Sequence, residues 1–284
     1  MRQAILITTH KDLDFLQRII DHFDADFDFF VHVDKKCKEH VPMYHAKGDV
    51  ITIKTHHIEW GSDRLLYAIY DLLRLSTTHG NYCYYHLITG SDYPIKTAQE
   101  FKDFFTEQNN NNFIEYHSIP REGWGVEGGV ERLRYYWIGN QYKDIRFHGE
   151  LTRLLLKIQR KIGMHRPSNL LGDLYCGGIH CSLNDDGVKT LMNIDSKLLR
   201  KVTHFTHACE EIIPHTILLN SPNVKCVNNP LHLTLWQGNA ASPKTLSDDD
   251  FETIRTSDAF FARKFDRIVS ASLLDKIDQE LLNA

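Results

Sequence analysis

The sequence lacks the cysteine pairs and the basic excess that mark several functional classes. Its six cysteines stand at positions 37, 83, 176, 181, 209 and 226, so no CxxC pair indicates a zinc ribbon or a thioredoxin-like motif. In a chain of 284 residues we expect them to be reduced and mostly buried. With 33 Lys and Arg against 37 Asp and Glu, the formal charge of −4 argues against a nucleic-acid binder and leaves room for a local basic cleft.

A long apolar run is also missing. The first apolar stretch, Ala4–Thr8, is far shorter than the roughly 20 residues that cross a bilayer. It is typical of the first strand of a fold rather than of a targeting segment. The sequence thus predicts a cytoplasmic protein without a transmembrane segment, and it is compatible with peripheral attachment to the inner face of the membrane.

What the sequence does contain is an alternation of strand and helix patterns. Strands are predicted at Ala4–Thr8, Phe27–Val33, Val50–Lys54 and Tyr84–Thr89. Between them, Leu13–Phe23 and Arg64–Leu75 carry apolar residues at helical spacing. The alternation predicts an α/β fold with a mostly parallel central sheet flanked by helices. Because no internal repeat or long linker interrupts the chain, residues 1–284 are predicted to form one domain.

The second half of the chain is less regular. Tyr175–Ser182 is predicted as a strand and Asp185–Met192 as a helix. A further helix over Glu210–Leu219 should begin near residues 211–213, because Pro214 is tolerated only in a first turn. The acids Glu210 and Glu211 at the start of this helix would complement its dipole, which is a structural explanation for their presence.

The stretch from Tyr84 to Lys96 is the most informative segment. A strand rich in aromatic and β-branched residues stops at Gly90, and Asp92 follows directly. In open α/β sheets, ligands bind beyond the carboxyl ends of the strands. The pattern favours a carboxylate, Asp92, at a ligand site, although a strand followed by an ordinary Asx turn has the same local sequence.

Five segments in a particular order carry a family resemblance: Val31–Lys36, Glu59–Ser62, Tyr84–Lys96, Glu210–Glu211 and Phe261–Asp266. Together they resemble the core-2/I-branching glycosyltransferases, which include the peptide O-xylosyltransferases. The resemblance covers about residues 4–266. It implies a GT-A-like nucleotide-sugar-binding fold, with a donor-binding half at about 1–112 and an acceptor and catalytic half at about 113–284.

The same resemblance implies a reaction. A sugar, GlcNAc or xylose, would pass with inversion from a UDP-sugar to a hydroxyl of a glycan or lipid-linked glycan acceptor. Glu211 matches the catalytic base of the family, and Thr216 follows it at the family's spacing. Glu210 stands where the family has Asp, and like-charge repulsion from Glu210 would raise the pKa of Glu211.

On the donor side, Asp34 resembles the residue that holds the uracil end of the nucleotide. Trp60 and Gly61 resemble a segment where the backbone approaches the nucleotide closely. Asp34 is also explained as an ordinary acid at the end of a strand. The segment with Trp60 and Gly61 is also explained by a helix cap at Ser62.

Basic residues near the C-terminus are the expected diphosphate site. Lys264 matches the family's phosphate-binding lysine, and such a fixed charge stabilises the leaving group as a metal would. Arg263 is assigned to the same site. The family's second phosphate-binding arginine has no clear match, and Lys244 or Arg263 is the candidate replacement.

The predicted acceptor residues are Glu115, Arg132 and Trp236. Glu115 and Arg132 resemble an acid and a base of the family's acceptor site within an aromatic-rich region, where a solvated charge run is the alternative. The segment Gly177–His180 departs from the family pattern, since Gly178 replaces a serine and His180 a tryptophan. A buried core histidine explains His180 equally well.

No metal or other cofactor is expected, because the resembled family works without one. Three Asp-x-Asp pairs, at residues 12 and 14, 24 and 26, and 26 and 28, fall beside the first predicted helix and are interpreted as solvated turn residues. Three alternatives remain open: a Mn²⁺-dependent enzyme of the same fold, a non-catalytic carbohydrate-binding protein, and a metallohydrolase built on residues such as His32, Asp34, His180 and Glu211.

Overall fold

The N-terminal part of the protein folds as alternating strands and helices. The computed structural model describes residues 2–108, 110–138, 147–238, 240 and 242–283. The elements begin with β1 (Gln3–Thr9), α1 (Phe15–Ile20), β2 (Phe27–Val33), β3 (Val50–Ile53), α2 (Arg64–His79) and β4 (Tyr84–Thr89). The predicted strands at 27–33 and 84–89 have these bounds, and the other predicted elements differ by a few residues.

Shorter elements follow in the middle of the chain. They are β5 (Asp92–Pro94), α3 (Ala98–Glu107), β6 (Asn112–Ile114), β7 (His117–Ser118), α4 (Val130–Arg134), α5 (His148–Lys161), β8 (Tyr175–Cys176), β9 (Cys181–Asn184) and α6 (Asp185–Met192). The predicted helix at 185–192 has the observed bounds. The single strand predicted over 175–182 is divided into β8 and β9.

The C-terminal part is mainly helical. It contains α7 (Ser196–Thr203), a 3₁₀ turn (Cys209–Glu211), α8 (Ile213–Leu219), β10 (Cys226–Val227), β11 (His232–Thr234), a 3₁₀ turn (Asp248–Asp250), α9 (Phe251–Arg255), β12 (Phe261–Arg263), α10 (Ala271–Ile277) and a π-helical turn (Asp278–Leu282). Pro214 lies in the first turn of α8, as predicted.

The central sheet is mostly parallel. Within the described residues it has seven strands in the order β10-β6-β9-β4-β1-β2-β3, and β9 runs antiparallel to its two neighbours. A smaller sheet has the order β11-β12-β5, and its antiparallel β12–β5 pair places Arg263 opposite Asp92. The predicted mostly parallel sheet is thus confirmed, and the second sheet connects the C-terminal segment to the end of β4.

Helices cover both faces of the central sheet. Every residue of β1 and β2 is buried, and successive side chains point to opposite faces. Ile5 and Ile7 pack in one apolar cluster with residues of α1, α3 and α10, whereas Ala4 and Leu6 pack in another with residues of α2, α6 and α8. Burial on both faces explains why these strands are nearly continuous apolar runs.

Two further features bear on the sequence predictions. All six cysteines lie among the described residues and are free. In the parts of the chain that the structure describes, no helix has the length and apolar character needed to span a bilayer.

Candidate active site

A cleft of about 960 Å³ opens where β1, β2 and β4 end. Five of the predicted donor-side residues line it: Asp34, Trp60, Gly61, Arg263 and Lys264. They come from three segments that are far apart in the sequence. The carboxyl ends of parallel strands are the usual ligand edge of such a sheet, and the volume suits a nucleotide-sized ligand.

Close packing at the end of β4 shapes the floor of this cleft. A Cβ atom at Gly90 would lie 2.3 Å from Oγ1 of Thr9, the last residue of β1. Since that separation is far inside van der Waals contact, only glycine fits here. Both residues line the cleft, so the glycine of the predicted turn also sets the depth of the site.

Asp34 is a buried acid just beyond β2. Its Oδ1 accepts the backbone N–H of Lys36 at 2.9 Å and that of Ile58 at 3.3 Å. Lys36 in turn donates to Glu59 at 3.0 Å. These bonds fix the Asp34 carboxylate at the cleft wall and tie the end of β2 to the segment that contains Trp60.

Trp60 presents an aromatic face at the mouth of the cleft. The residue is 74% exposed, and its ring meets the His207 ring edge-on, with centroids 5.1 Å apart. Gly61 has a φ of +77°, a conformation that favours glycine. Its carbonyl accepts the Ala208 N–H at 3.1 Å. The Trp60–Gly61 segment is therefore bonded to the loop that leads into Glu210 and Glu211.

Basic as well as acidic side chains line the cleft. Lys264 Nζ donates to Ser242 Oγ at 3.3 Å. The two candidates for a second phosphate-binding residue differ, because Arg263 lines the cleft while Lys244 is outside the lining and donates to Asp250 at 2.6 Å. Lys11, Lys36 and Arg267 also line it. The arrangement gives an anionic ligand several cations in a protein whose net charge is negative.

Asp92 lies beneath the cleft rather than in its lining. It is fully buried at the start of β5. His180 Nε2 lies 3.1 Å from its Oδ2, while His232 Nε2 and Arg263 Nε lie 3.6 Å and 3.4 Å from its Oδ1. The rings of His180 and His232 are 4.1 Å apart. We call these four residues the Asp92 cluster.

The charges in the Asp92 cluster can be assigned. Burial by itself would raise the pKa of Asp92, but His180 and His232 hold it well below its usual value. Burial, followed by the nearby His232, lowers the pKa of His180 to about 4, so that ring is neutral at pH 7. The Arg263 guanidinium, 3.4 Å from Asp92 Oδ1, supplies a positive charge opposite the carboxylate.

Hydrogen bonding in the cluster is incomplete. His180 Nε2 also lies 2.9 Å from Arg263 Nη1, and a neutral ring nitrogen can donate to Asp92 or accept from Arg263, but not both. Among the described residues, Asp92 Oδ1, His232 Nε2 and Arg263 Nε have no hydrogen-bond partner. The cluster thus holds Arg263 mainly by charge, with its guanidinium between the buried acid and the cleft.

Glu211 forms an ion pair with Arg132. Arg132 Nη1 donates to Glu211 Oε2 at 2.6 Å, and the Glu211 side chain is 36% exposed. The guanidinium carbon of Arg132 lies 3.7 Å from the centroid of the Trp124 ring. Glu211 also accepts the Gly177 N–H at its backbone carbonyl. The predicted base and one predicted acceptor residue are thus in direct contact.

Glu210 reaches the cleft lining, and its environment raises its pKa. Burial, with a contribution from the Glu211 charge, raises the pKa of Glu210 to about 8. Its Oε2 has no hydrogen-bond partner among the described residues. Glu210 is therefore protonated at pH 7, and the Glu211 charge contributes to that state.

Glu115 belongs to the same neighbourhood as Glu211. Its carboxylate contacts His117 Nε2 at 3.0 Å and accepts the Gly178 N–H at 3.3 Å. A Cβ atom at Gly177 would lie 2.0 Å from the Glu115 carbonyl oxygen. The glycine pair between β8 and β9 therefore lets the backbone pass between Glu115 and Glu211.

A comparison of the sequence with protein-family models shows to which family the chain belongs. A family model described as Core-2/I-Branching enzyme matches residues 4–258. The chain belongs to the Core-2/I-Branching enzyme family. The resemblance found in the sequence motifs is confirmed, and the protein is a member of an enzyme family.

Named relatives of this family member are distant in sequence. Xylosyltransferase 1 of Rattus norvegicus is 24% identical over 92% of this chain and 32% of its own length, and Xylosyltransferase 2 of the same organism is 23% identical over 99% and 34%. The chain thus spans about a third of the relatives it matches. The crystal structure of S. aureus TarS 1-349 overlaps 60% of this chain and 51% of that chain at 12% identity, with a TM-score of 0.27.

Two groups among the described residues have the geometry to hold a metal ion in this family member: Asp92, His180 and His232; and Asp28, Asp49 and His79. In the first, the Arg263 guanidinium already lies beside the same atoms, so a divalent cation would meet direct repulsion. The second is built on the start of β2, at the opposite end of that strand from the cleft. Neither group is well placed to hold a metal ion that contacts a ligand in the cleft.

The Asp-x-Asp pairs proved heterogeneous. Asp24 and Asp26 pair with Lys102 at the surface, as expected of turn residues. Asp28 does not fit that interpretation, because it is fully buried and bonded to Arg2 and Tyr82. Asp12 lines the cleft and is 3.3 Å from Arg267.

Trp236 is the predicted residue that stands apart. It lies beyond β11, is 58% exposed, and falls outside the cleft lining. Conversely, sequence reasoning missed His232, Lys11 and Arg267. A histidine at the start of a three-residue strand carries no local signal, whereas Lys11 and Asp12 directly follow the predicted first strand and could have been included by the rule that places Asp34.

Proposed function

We propose that the protein is an inverting glycosyltransferase that moves a sugar from a UDP-sugar to a hydroxyl of a glycan acceptor without a metal ion. The proposal rests on finding two cleft-lining cations and a pair of neighbouring glutamates together in a member of this family. Arg263 and Lys264 line a cleft at the carboxyl ends of the strands, and Glu211 directly follows Glu210, another residue of the cleft lining, in a 3₁₀ turn.

In the proposed step, the acceptor oxygen attacks the anomeric carbon of the donor as the bond from that carbon to the diphosphate breaks. Glu211 removes the proton from the attacking hydroxyl. The electron pair of the broken bond stays on the diphosphate, and Arg263 and Lys264 stabilise the added charge. Attack on the face opposite the leaving group inverts the configuration.

Arg132 supports Glu211 in this role. Its pairing with the carboxylate at 2.6 Å, and its position over Trp124, limit the orientations that Glu211 can adopt. Together with Glu115, it gives the acceptor hydroxyls charged hydrogen-bonding partners near an aromatic face. The acceptor we propose is therefore a glycan, free or lipid-linked.

The donor site would be completed by Asp34 and the Trp60–Gly61 segment. Asp34 is held by backbone N–H groups at the cleft wall, which suits a fixed acceptor for the base of the nucleotide. The name of the relatives, xylosyltransferase, supports UDP-xylose as donor. UDP-N-acetylglucosamine is the other donor that the sequence resemblance supports.

The direct test is release of UDP from UDP-xylose, UDP-N-acetylglucosamine, UDP-glucose and UDP-galactose, with EDTA present and with Mn²⁺ added. We expect one donor to be hydrolysed slowly in EDTA. Release that depends on Mn²⁺ would contradict the metal-free mechanism and would direct attention to Asp92, His180 and His232. Failure with every donor, together with no calorimetric binding of UDP, would contradict the proposed function.

The cation assignment has a matched pair of variants. Lys264→Ala should weaken UDP binding roughly tenfold, because it removes a charged hydrogen-bond donor from the phosphates. Lys244→Ala removes a nearby lysine that is engaged with Asp250 and should leave UDP affinity unchanged. Equal losses in both variants would show that Lys264 has no particular role.

A further inference from the structure

A stripe of large apolar side chains lies exposed along α5. Phe147, Leu151, Leu154, Ile158 and Ile162 are each between 44% and 63% exposed. Their spacing of three or four residues places them on one side of the helix. We call these five residues the α5 stripe. Contiguous exposed apolar surface of this kind marks an interaction site.

The α5 stripe is not required to hold the helix in place. The buried side of α5 carries Thr152, Leu156 and Gln159. Gln159 accepts the backbone N–H of Tyr136 at 2.8 Å and donates to its carbonyl at 3.0 Å. Because a different set of residues anchors the helix, the exposed surface of Leu151, Leu154, Ile158 and Ile162 is available to another surface.

The flank of the stripe is strongly basic. Residues 147–166 contain five Lys and Arg against one Glu, a formal charge of +4 in a chain whose total is −4. Arg153, Lys157 and Arg160 follow one another at helical spacing, and with Lys161 they are exposed. The same helix therefore combines a large aliphatic stripe with a row of cations.

We propose that the α5 stripe and its basic flank dock the protein on an anionic lipid bilayer, with α5 lying in the plane of the interface. A helix with bulky apolar residues on one side and Lys and Arg beside them has the chemistry of an interfacial helix. The cations meet anionic headgroups while the stripe enters the acyl boundary. Self-association through the same face is less favourable, because two such helices would bring their positive charges together. The inference does not depend on the donor or on the acceptor.

Vesicle co-sedimentation of the full chain tests the proposal. We expect binding to vesicles of phosphatidylcholine with phosphatidylglycerol, and much weaker binding to phosphatidylcholine alone. Salt at about 0.5 M should also weaken binding, because the Debye length then falls to only a few ångströms. Leu154→Glu combined with Ile158→Glu should weaken binding at least about tenfold, because it puts charge into the stripe. The matched control is Met43→Glu with Ile268→Glu, two highly exposed apolar residues elsewhere, which should bind like the wild type.

The basic flank is tested separately. Lys157→Gln with Lys161→Gln should lower the partition coefficient about 25-fold, at roughly fivefold per cation, and Lys38→Gln with Lys47→Gln is the control. All these positions are exposed, so unchanged unfolding midpoints will show that each variant folds. The proposal is overturned if the wild type ignores anionic vesicles, or if controls and test variants lose binding equally. It is also overturned if the wild type forms a lipid-free dimer that the stripe variants abolish while vesicle binding is absent.

Discussion

The two carboxylates that the sequence singled out, Asp92 and Glu211, occupy opposite kinds of environment. Asp92 is sealed beneath the cleft floor among two histidines and Arg263. Glu211 has one cationic partner, Arg132, and a side chain that is 36% exposed. The comparison separates a sealed carboxylate, which contacts other protein groups, from a carboxylate that is partly open to solvent.

Burial is what divides the two roles. A carboxylate with no access to the cleft cannot take a proton from a substrate, but its charge can hold a guanidinium in place with little screening. A half-exposed carboxylate is screened and adjustable, which suits proton transfer. Asp92, predicted as a donor-site residue, is thus best placed to act through Arg263 on the donor that we propose.

The largest effect is expected for Glu211→Gln. We expect the transfer rate to fall by about 10²–10⁴-fold, because the amide cannot accept the proton, while UDP affinity stays unchanged. Single-turnover kinetics with calorimetric UDP binding measures both. Normal turnover in this variant would remove Glu211 from the mechanism and with it one side of the comparison.

Asp92→Asn should act on stability and on the donor site together. Removing the buried charge leaves Arg263 without its counterion, at a cost of about 3–5 kcal/mol in the free energy of unfolding. Urea denaturation measures that loss, and UDP affinity should fall because Arg263 is no longer held.

The matched control for this change is Asp28→Asn. Asp28 is also fully buried and ion-paired, but it lies at the start of β2 and its partner is Arg2. It should lose stability and keep UDP affinity. If both variants bind UDP like the wild type, then Asp92 does not position Arg263.

A further prediction concerns the pH dependence of stability at Glu210. Its pKa is raised from an ordinary value of 4.5 to about 8. Between these values the unfolded chain has lost the proton and the folded protein keeps it, so stability falls as pH rises through this window and levels off above about pH 8. Glu210→Gln, which cannot ionise, should gain stability relative to the wild type from pH 5 to pH 8 in thermal unfolding. A constant difference over that range would contradict the buried, protonated state.

The transfer rate of Glu210→Gln can also be compared with that of Glu211→Gln. Since Glu210 is protonated at pH 7, replacing it with a neutral amide of the same shape should leave transfer at that pH near the wild-type rate.

Local sequence patterns were sufficient to predict the bounds of an element where that element is defined by its own periodicity. The strands at 27–33 and 84–89 and the helix at 185–192 were predicted with their observed bounds. The helix α7 was missed although Asp195 caps it by accepting the Leu198 N–H at 2.8 Å, a signal readable in the sequence. Short strands such as β11 and β12 have too few residues for a periodic pattern, and they exist through pairing with distant segments.

Tertiary contacts overrode the local pattern between residues 175 and 182. The sequence favoured one strand there. In the structure the backbone leaves the strand at Gly177, whose N–H pairs with the Glu211 carbonyl, and His180 turns into the Asp92 cluster. A contact with a residue more than thirty positions away cannot be read from the alternation of neighbouring side chains.

The sequence by itself determined the alternating strands and helices, the family, and the set of acids and bases from which a site could be built. Only the tertiary structure decided that Asp92 is sealed while Glu211 is partly exposed, and that burial raises the pKa of Glu210. The physical reason is that apolar periodicity records which side of an element is buried, whereas desolvation and ion pairing depend on groups that several distant segments bring to one place.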